Sequence, residues 1–402
     1  MTDVAPHPGP LSDLRVVEMG QLLAGPFAGQ LFADFGAEVI KLEPPNQGDP
    51  LRVWGKERTN GKALWWSVLG RNKKSVTCNL RLDQGQQIAR DIIATADVLI
   101  ENFRSGTLER WGLSPEQLWE INPRLVVLRV TGFGQTGPMK NEAGYGAVGE
   151  AMGGLRHVTG DPDRQSARAG ISIGDTLAAT FGTLGALMAL HARERTGRGQ
   201  VVDSALYEAV LAVMESLVID YDQAGYIRER TGSILPKIAP SNVYKCSDGD
   251  MLIAGNGDTI WRRMSAGMGM PELADDPRFA DHTARGENQA ELDDIINAWT
   301  ATKTTDEVDA IMTEAKVPHG RIFRAPEMLE DAQFKARESI VRVMHPEYGQ
   351  VAMQNTFPRL SDTPGQVRWV GPKLGEHTDQ ILRDVLGKTD DELAELRAAD
   401  VI

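Results

Sequence analysis

Apolar residues fall into short runs and helical stripes that alternate from the start of the chain. A run at 14–19 (LRVVEM) predicts a strand, and the stripe over 26–35, with Pro26 in its first turn and Gly36 beyond its end, predicts a helix after the loop at 20–25. Residues 38–43 (EVIKLE) predict the next strand, which completes a β-α-β unit, the element of a parallel sheet. The alternation continues with strands at 75–80, 97–100 and 125–131 and helices at 84–95 and 115–121; the run LVVLRVT reads as a strand buried on both faces.

Residues 176–190 carry no charge and space Leu177, Phe181, Leu184, Leu187 and Met188 at helical intervals, with Gly182 and Gly185 allowing close packing, so a buried helix is expected. A short strand at 201–203 and a long apolar helix at 205–221 follow. Polar, glycine-containing sequence around 225–236 marks a crossing into a second domain. Strands at 241–244 and 251–254 and helices at 260–268, 292–301 and 305–314 belong to it. Strands at 341–344 and 351–353 and a helix at 379–386 read as a tail that returns to the first domain. The expected fold is α/β: an open, doubly wound, Rossmann-like parallel sheet in residues 1–225, a smaller α+β domain in 226–330, and a return segment in 331–402 that completes the large domain.

Composition narrows the function classes. The 402 residues, 41% hydrophobic and 25% charged, suffice for a large core, and a formal charge of -13 argues against non-specific nucleic-acid binding while leaving room for a local basic patch. Cys78 and Cys246 make neither a disulfide framework nor a metal cluster, so a reducing compartment, the cytoplasm, is expected. The opening MTDVAPHPGP lacks the apolar segment of a secretion signal, and no run of about 18 apolar residues suggests a membrane partner.

Several motifs compete for the chemistry. Asp175 stands at the N-terminal edge of the uncharged helix, where a helix cap and a nucleophile are both consistent readings. GISIG at 170–174 matches G-x-S-x-G and makes a serine hydrolase using Ser172, with His191 or His377 as base, the main rival; the polar DPDRQSARA before it is not the strand that a nucleophile elbow needs. GFGQTG at 132–137 matches a dinucleotide fingerprint, but Pro138, Met139 and Lys140 open no helix to receive a pyrophosphate. No Walker lysine follows the first loop, where Pro26 stands instead. Basic residues near strand ends, Arg71, Lys73 and Lys74 in GRNKKS with Arg81, Arg104 and Arg110 beyond, could hold phosphates or form a solvated surface. Trp54, Trp65 and Trp66 flank the first loop region, and Gly255-Asn256-Gly257 marks a close-approach turn.

Long blocks then carry a resemblance over nearly the whole chain: LAGPFAGQLFADFGAEVIKLE at 23–43, GRNKKS at 70–75, ADVLIENFRSGTLERWGL at 96–113, TGFGQTGP at 131–138, GDTLAAT at 174–180, TGRGQVVDSALYEA at 196–209, IAPSNVYKCSDG at 238–249 and PKLGEHT at 372–378. In these the chain resembles the class III CoA-transferases, the family of formyl-CoA, carnitine and succinyl-CoA-dependent dicarboxylate transferases. The resemblance implies that Asp175 is the catalytic aspartate and that Leu22, Leu23, Ala24, Gly25, Arg81, Asn102, Phe103, Arg110 and Tyr145 line the CoA site. Arg71, Lys73 and Lys74 are added as phosphate-holding candidates, and Gly255, Asn256 and Gly257 as a loop similar to one that closes over the site in relatives. The related racemases use His where Tyr145 stands here, which disfavours that alternative. Pro44 and Ala143 replace basic CoA contacts of some relatives, and Gly146 replaces a carboxylate.

The resemblance also implies an interlocked homodimer and a reaction that needs no permanently bound cofactor and no metal. Coenzyme A thioesters and free carboxylic acids are its substrates. A CoA donor such as succinyl-CoA and a short dicarboxylate acceptor are expected, through aspartyl anhydride and aspartyl-CoA intermediates; Arg71, Lys237 and Arg321 are candidate partners for the distal carboxylate.

Overall fold

Apolar runs that are buried on both faces are stable in a parallel sheet covered by helices on either side. Six strands adopt that arrangement in the computed structural model, which describes residues 8–55, 58–59 and 62–402. They are β1 (Arg15–Glu18), β2 (Glu38–Glu43), β3 (Lys73–Thr77), β4 (Val98–Glu101), β5 (Val126–Thr131) and β6 (Val201–Ala205). Their order is β3-β2-β1-β4-β5-β6 and every neighbouring pair is parallel. The expected doubly wound α/β architecture is therefore present, with its winding reversed between β1 and β4.

The associated helices are α1 (Ala24–Asp34), α2 (Asp83–Ile93), α3 (Pro115–Ile121), α4 (Gly146–Met152), α5 (Ile173–Thr196) and α6 (Leu206–Leu211). Alternate side chains of each strand enter opposite cores. Val16, Val39, Ile100 and Leu128 pack with Phe32 of α1 and Ala178, Ala179 and Ala186 of α5. Val17, Ile40, Leu99 and Val127 pack with Ile88 and Ile92 of α2, Leu118 of α3, and the C-terminal helices Thr378–Leu386 and Asp390–Ala398 through Ile381, Leu382 and Leu393.

Contacts divide the chain into two units, one comprising residues up to Leu155, Ala169–Ser216 and Gln333–Ile402, the other Arg156–Arg168 and Leu217–Ala332. The second unit has a three-stranded antiparallel sheet, His319–Arg321 beside Asp250–Ala254 beside Ser241–Lys245. Tyr244, Met251, Ile253, Trp261, Leu292 and Ile296 form its core, and the Tyr244 hydroxyl donates to Asp293 at 2.5 Å.

Three elements depart from the sequence expectation. Strand β3 spans 73–77 rather than 75–80, because Lys73 and Lys74 stay inside the strand by pairing with Glu18 and Glu38, each at 2.6 Å. The apolar stretch 205–221 is not one helix: α6 ends at Leu211, Glu215 adopts a left-handed φ of 53°, and a separate helix runs over Leu217–Ala224. Helix α5 begins at Ile173 and buries mainly small residues, with Leu190 and Arg193 the large side chains buried near its end. A Cβ on Gly182 would lie 2.8 Å from Leu128 and one on Gly185 2.7 Å from Val202, so glycine lets the helix sit directly on the sheet. Phe181, Leu184 and Met188, expected in the core, are 38%, 47% and 61% exposed.

The return segment is tied to the sheet by a polar knot. Arg71 donates to both oxygens of buried Asp34, at 2.9 and 2.6 Å, and to the carbonyl of Gln354. Asn72 donates to Asp34 and to the Gln366 carbonyl, and accepts from the backbone of Arg368 at 2.7 Å. Arg71 is thus consumed by the fold. Arg71→Met strands a buried carboxylate and is expected to cost about 3 to 5 kcal/mol in urea unfolding, with the KM for acyl-CoA unchanged; an intact stability with a raised KM would return Arg71 to the ligand site.

Candidate functional site

In a doubly wound sheet the loops at the carboxyl ends of the strands part at the point where the winding reverses, leaving a crevice. Here that crevice is a cleft of about 220 Å³. The turn after β1 supplies Gln21, Leu22, Leu23 and Ala24; the exit of β4 supplies Asn102, Phe103, Arg104 and Ser105. Thr131 ends β5 and Gly132 and Phe133 follow it, the loop through Lys140 and Glu142 ends at Tyr145, and Asp175 enters from α5.

Asp175 lies in the first turn of α5, not at its cap. Ser172 occupies the N-cap position and makes no capping hydrogen bond with its side chain. A carboxylate in a first helical turn is stabilised as an anion by the N-terminal end of the helix dipole. Its room comes from Gly146, the first residue of α4: a Cβ there would stand 2.1 Å from Asp175 Oδ2. Gly174 repeats the constraint, since its Cβ would meet the Gly146 carbonyl at 2.8 Å. Tyr145, 70% exposed, borders the same cleft.

The turn after β1 is fixed from two sides. Asn102 accepts from the Gln21 N–H at 2.7 Å and donates to its carbonyl at 2.8 Å, while Asp49 accepts from the Leu22 N–H at 3.0 Å. Leu22 has a φ of 64°, a conformation an L-residue holds only when its surroundings impose it. Gly25 is required because the chain doubles back: a Cβ on it would be 2.9 Å from the Gly20 Cα.

On the neighbouring strands Arg129 donates to Glu101 at 2.7 Å and to Glu109 at 2.8 Å, and Glu101 accepts the Phe103 N–H at 2.7 Å. Phe103 in turn meets Trp111 edge to face at 5.1 Å. Burial pushes the Glu101 carboxyl up to about 7, with Arg129 opposing the shift.

Of the residues expected at the site, Leu22, Leu23, Ala24, Asn102, Phe103, Tyr145 and Asp175 line this cleft, and Gly25 supports it. Lys73 is fully buried and donates to the Pro26 carbonyl at 2.6 Å besides pairing with Glu18. Lys74 lies on a separate cleft of about 820 Å³, beside Trp66 and His377. Arg81 and Arg110 are exposed outside the 220 Å³ cleft, Arg110 donating to Thr107 at 2.9 Å. Gly255, Asn256 and Gly257 form the turn before the helix Asp258–Gly267 of the second unit, where Arg285 donates to the Asn256 carbonyl at 2.8 Å. Arg321 pairs with Asp306.

The rival motifs find no matching geometry. His191 stands 19 residues beyond Ser172 on α5, roughly 28 Å away at the helical rise, and His377 lines the other cleft. GFGQTG is a loop that folds onto Asp203, which accepts the Gln135 N–H at 2.8 Å, with no helix after it until Gly146.

The profile of CoA-transferase family III matches residues 11–378. The chain belongs to this family. The succinyl-CoA–D-citramalate CoA-transferase of Chloroflexus aurantiacus is 58% identical to this CoA-transferase over 396 residues, 98% of each chain. The succinate–glutarate CoA-transferase of Agrobacterium fabrum is 36% identical over 96% of this chain and 98% of its own. A CAIB/BAIF family protein from Brucella suis, known from its crystal structure, superposes with a TM-score of 0.85 at 36% identity, covering 94% of this chain and 99% of that one. The family resemblance and the doubly wound fold are both borne out.

Sequence reading of this CoA-transferase passed over Gln21, Ser105, Lys140 and Glu142 as cleft residues, and the carboxylate of Asp49 beneath them. One signal was available: Glu18, Lys41 and Lys73 are ionisable residues inside otherwise apolar strands. Glu101 is a fourth, and its titration is measurable. A carboxyl raised in the folded state favours folding while protonated, so its contribution is complete below about 4.5 and is lost as pH rises through about 7. Between pH 5 and 8 the wild type should lose on the order of 2 kcal/mol relative to Glu101→Gln, read from urea midpoints; a pH-independent difference would mean an ordinary carboxyl.

Proposed function

We propose that Asp175 is the nucleophile of a succinyl-CoA:dicarboxylate CoA-transferase whose acceptor is a short hydroxy-dicarboxylic acid of the citramalate kind. The reading is carried by the placement of Asp175 in the switch-point cleft against Gly146. The substrate choice is supported by the 58% identical succinyl-CoA–D-citramalate transferase.

A carboxylate is a weak nucleophile that becomes competent when held in line with a thioester and shielded from water. Asp175 Oδ attacks the thioester carbonyl of the donor, the C–S bond breaks, and an aspartyl-acyl anhydride and CoA thiolate result. The thiolate attacks the aspartyl carbonyl, expelling the donor acid and leaving an aspartyl-CoA thioester. The acceptor carboxylate attacks that thioester and frees the thiolate again. Attack of this thiolate on the acceptor acyl group of the second anhydride yields the new acyl-CoA and restores the Asp175 carboxylate. One thioester replaces another, so the reaction needs no net energy input. Backbone N–H groups at the start of α1 suit the developing oxyanion, each worth about 3 kcal/mol in comparable sites.

Within the cleft, Arg104 and Lys140 are cations available to a distal carboxylate, in place of Arg71, whose charge is taken by Asp34. The exposed Phe181, Leu184 and Met188 on α5 favour a homodimer in which a second copy covers them. Two buried free cysteines suit a cytoplasmic setting.

Asp175→Ala should abolish exchange between succinyl-CoA and citramalate, detected by product mass, while Ser172→Ala should retain most of it; the reverse pattern would establish the hydrolase alternative. Hydroxylamine added during turnover should convert Asp175 to its hydroxamate, and an unmodified Asp175 in active enzyme would remove the anhydride route. Gly146→Ala pushes a methyl group into the Asp175 carboxylate, so kcat should fall by on the order of 100-fold with the fold retained by circular dichroism.

A further inference from the structure

Beneath the cleft lies a cluster of charges that the acyl-transfer steps do not use. Lys41 and Lys73 are 1% and 0% exposed, and Glu18 and Asp49 are 0% and 1% exposed. Such a cluster is costly: desolvating each ion costs several kcal/mol, and a well-packed apolar replacement is often at least as stable. Stability alone therefore gives little reason for it, and its connections show what it holds.

Lys41 Nζ forms ion pairs with Glu18 Oε1 and Asp49 Oδ2, each at 2.9 Å, and donates a hydrogen bond to the Gly20 carbonyl. The other oxygen of Asp49 accepts the N–H groups of Leu22, at 3.0 Å, and of Leu51, at 2.9 Å. Lys73 closes the far side, 2.6 Å from Glu18 Oε2 and 2.6 Å from the carbonyl of Pro26 in α1. Gly29 on α1 leaves space for Glu18, since a Cβ there would be 2.0 Å from Oε2. Burial pulls the Lys41 ammonium down, but the Asp49, Glu18 and Glu43 carboxylates outweigh it and hold the group above its ordinary value. Burial likewise pushes Asp49 up and is outweighed by Lys41 and the Leu51 N–H, so Asp49 stays below its ordinary value and ionised.

Every residue from Gly20 to Leu22 is thus held by its backbone: Gly20 by Lys41, Gln21 by Asn102, Leu22 by Asp49. The next residues, Leu23 and Ala24, line the cleft with Asp175 and begin α1, whose first N–H groups have no intrahelical acceptor.

We propose that Lys41 and Asp49 are positioning residues for acyl transfer: Lys41 orients the Asp49 side chain, whose Oδ1 holds Leu22 in its left-handed conformation and so aims the first turn of α1 at the acyl group being transferred. This rests on reading Asp175 as the nucleophile. It adds that the geometry of the oxyanion side of the cleft is set in part from inside the sheet, by Asp49 Oδ1 acting on the Leu22 N–H, besides Asn102 in the cleft wall.

The test is a pair of substitutions at Asp49. Asp49→Ala removes the acceptor, and Asp49→Asn keeps an acceptor oxygen for Leu22 while removing the charge. Steady-state exchange with succinyl-CoA should show kcat lowered by on the order of 10- to 100-fold in Asp49→Ala, with KM for succinyl-CoA within about twofold of wild type. Asp49→Asn should regain most of kcat even though thermal unfolding shows both variants destabilised. Lys41→Arg, which keeps the charge but not the ammonium's contact geometry, provides a second folded variant if Asp49→Ala does not fold, and should show the same kcat loss at unchanged KM. Overturning results are a wild-type kcat in Asp49→Ala, or in Lys41→Arg if that variant replaces it, or a kcat that follows thermal stability equally in Asp49→Ala and Asp49→Asn. Retained exchange in Asp175→Ala removes the nucleophile assignment instead, and leaves the Asp49 comparison interpretable as positioning for whichever group attacks.

Discussion

The ammonium of Lys41 is where the sheet and the cleft become one structure. Glu18 and Lys41 are register partners on β1 and β2, so the ion pair joins the strand before the switch-point turn to its neighbour. A turn that must approach a ligand closely cannot borrow the ladder hydrogen bonds of a strand or the internal bonds of a helix, so its backbone groups need partners of another kind. Here they are ionised side chains from beneath and one amide, Asn102, from the side. The cost of burying those ions is set against the irregular backbone they stabilise.

Helix α5 divides two tasks between its faces. Its inward face of glycine, alanine and threonine brings the helix axis close to β5 and β6 and puts the first turn, with Asp175, at the cleft. Its outward face carries Phe181, Leu184 and Met188. The N-terminal end of a helix dipole favours the anionic form of a carboxylate in the first turn and also withdraws electron density from it, so position there trades intrinsic reactivity for charge. The carboxylate is admitted there only because Gly146 has no side chain, and Gly174 lets the two helices approach at that point.

The parallel sheet was legible because runs such as EVIKLE and LVVLRVT, separated by helical stripes, admit few other arrangements. The close packing at Gly182 and Gly185 is legible, but the outward turn of Phe181, Leu184 and Met188 is not, because periodicity marks which side chains are apolar but not whether bulk points to a sheet or away from it. Lys73 and Lys74 were read as ligands for phosphate because their partners, Glu18 and Glu38, are 55 and 36 residues distant in sequence, by the subtractions 73 minus 18 and 74 minus 38. The break at Glu215 had no glycine or proline to announce it. The expectation for Asp175 comes from the ordered family blocks, whereas the Gly146 beside it lies 29 residues earlier, by 175 minus 146, and meets it only once α4 and α5 are folded.

The knot of Arg71, Asn72 and Asp34 with residues 354–369 has a consequence for the birth of the protein on the ribosome. It joins side chains from the first fifth of the chain to backbone that is made near the end, with a complete second unit synthesised in between. Chain order therefore lets residues 217–332 reach their native contacts while the sheet before them still waits for its closing segment. Until that segment emerges, the carboxylate of Asp34 and the guanidinium of Arg71 have each other but not their later partners, and one edge of the sheet stays open to other chains. Emergence of that segment, rather than synthesis of the helix that carries Asp175, is the event that completes the larger unit.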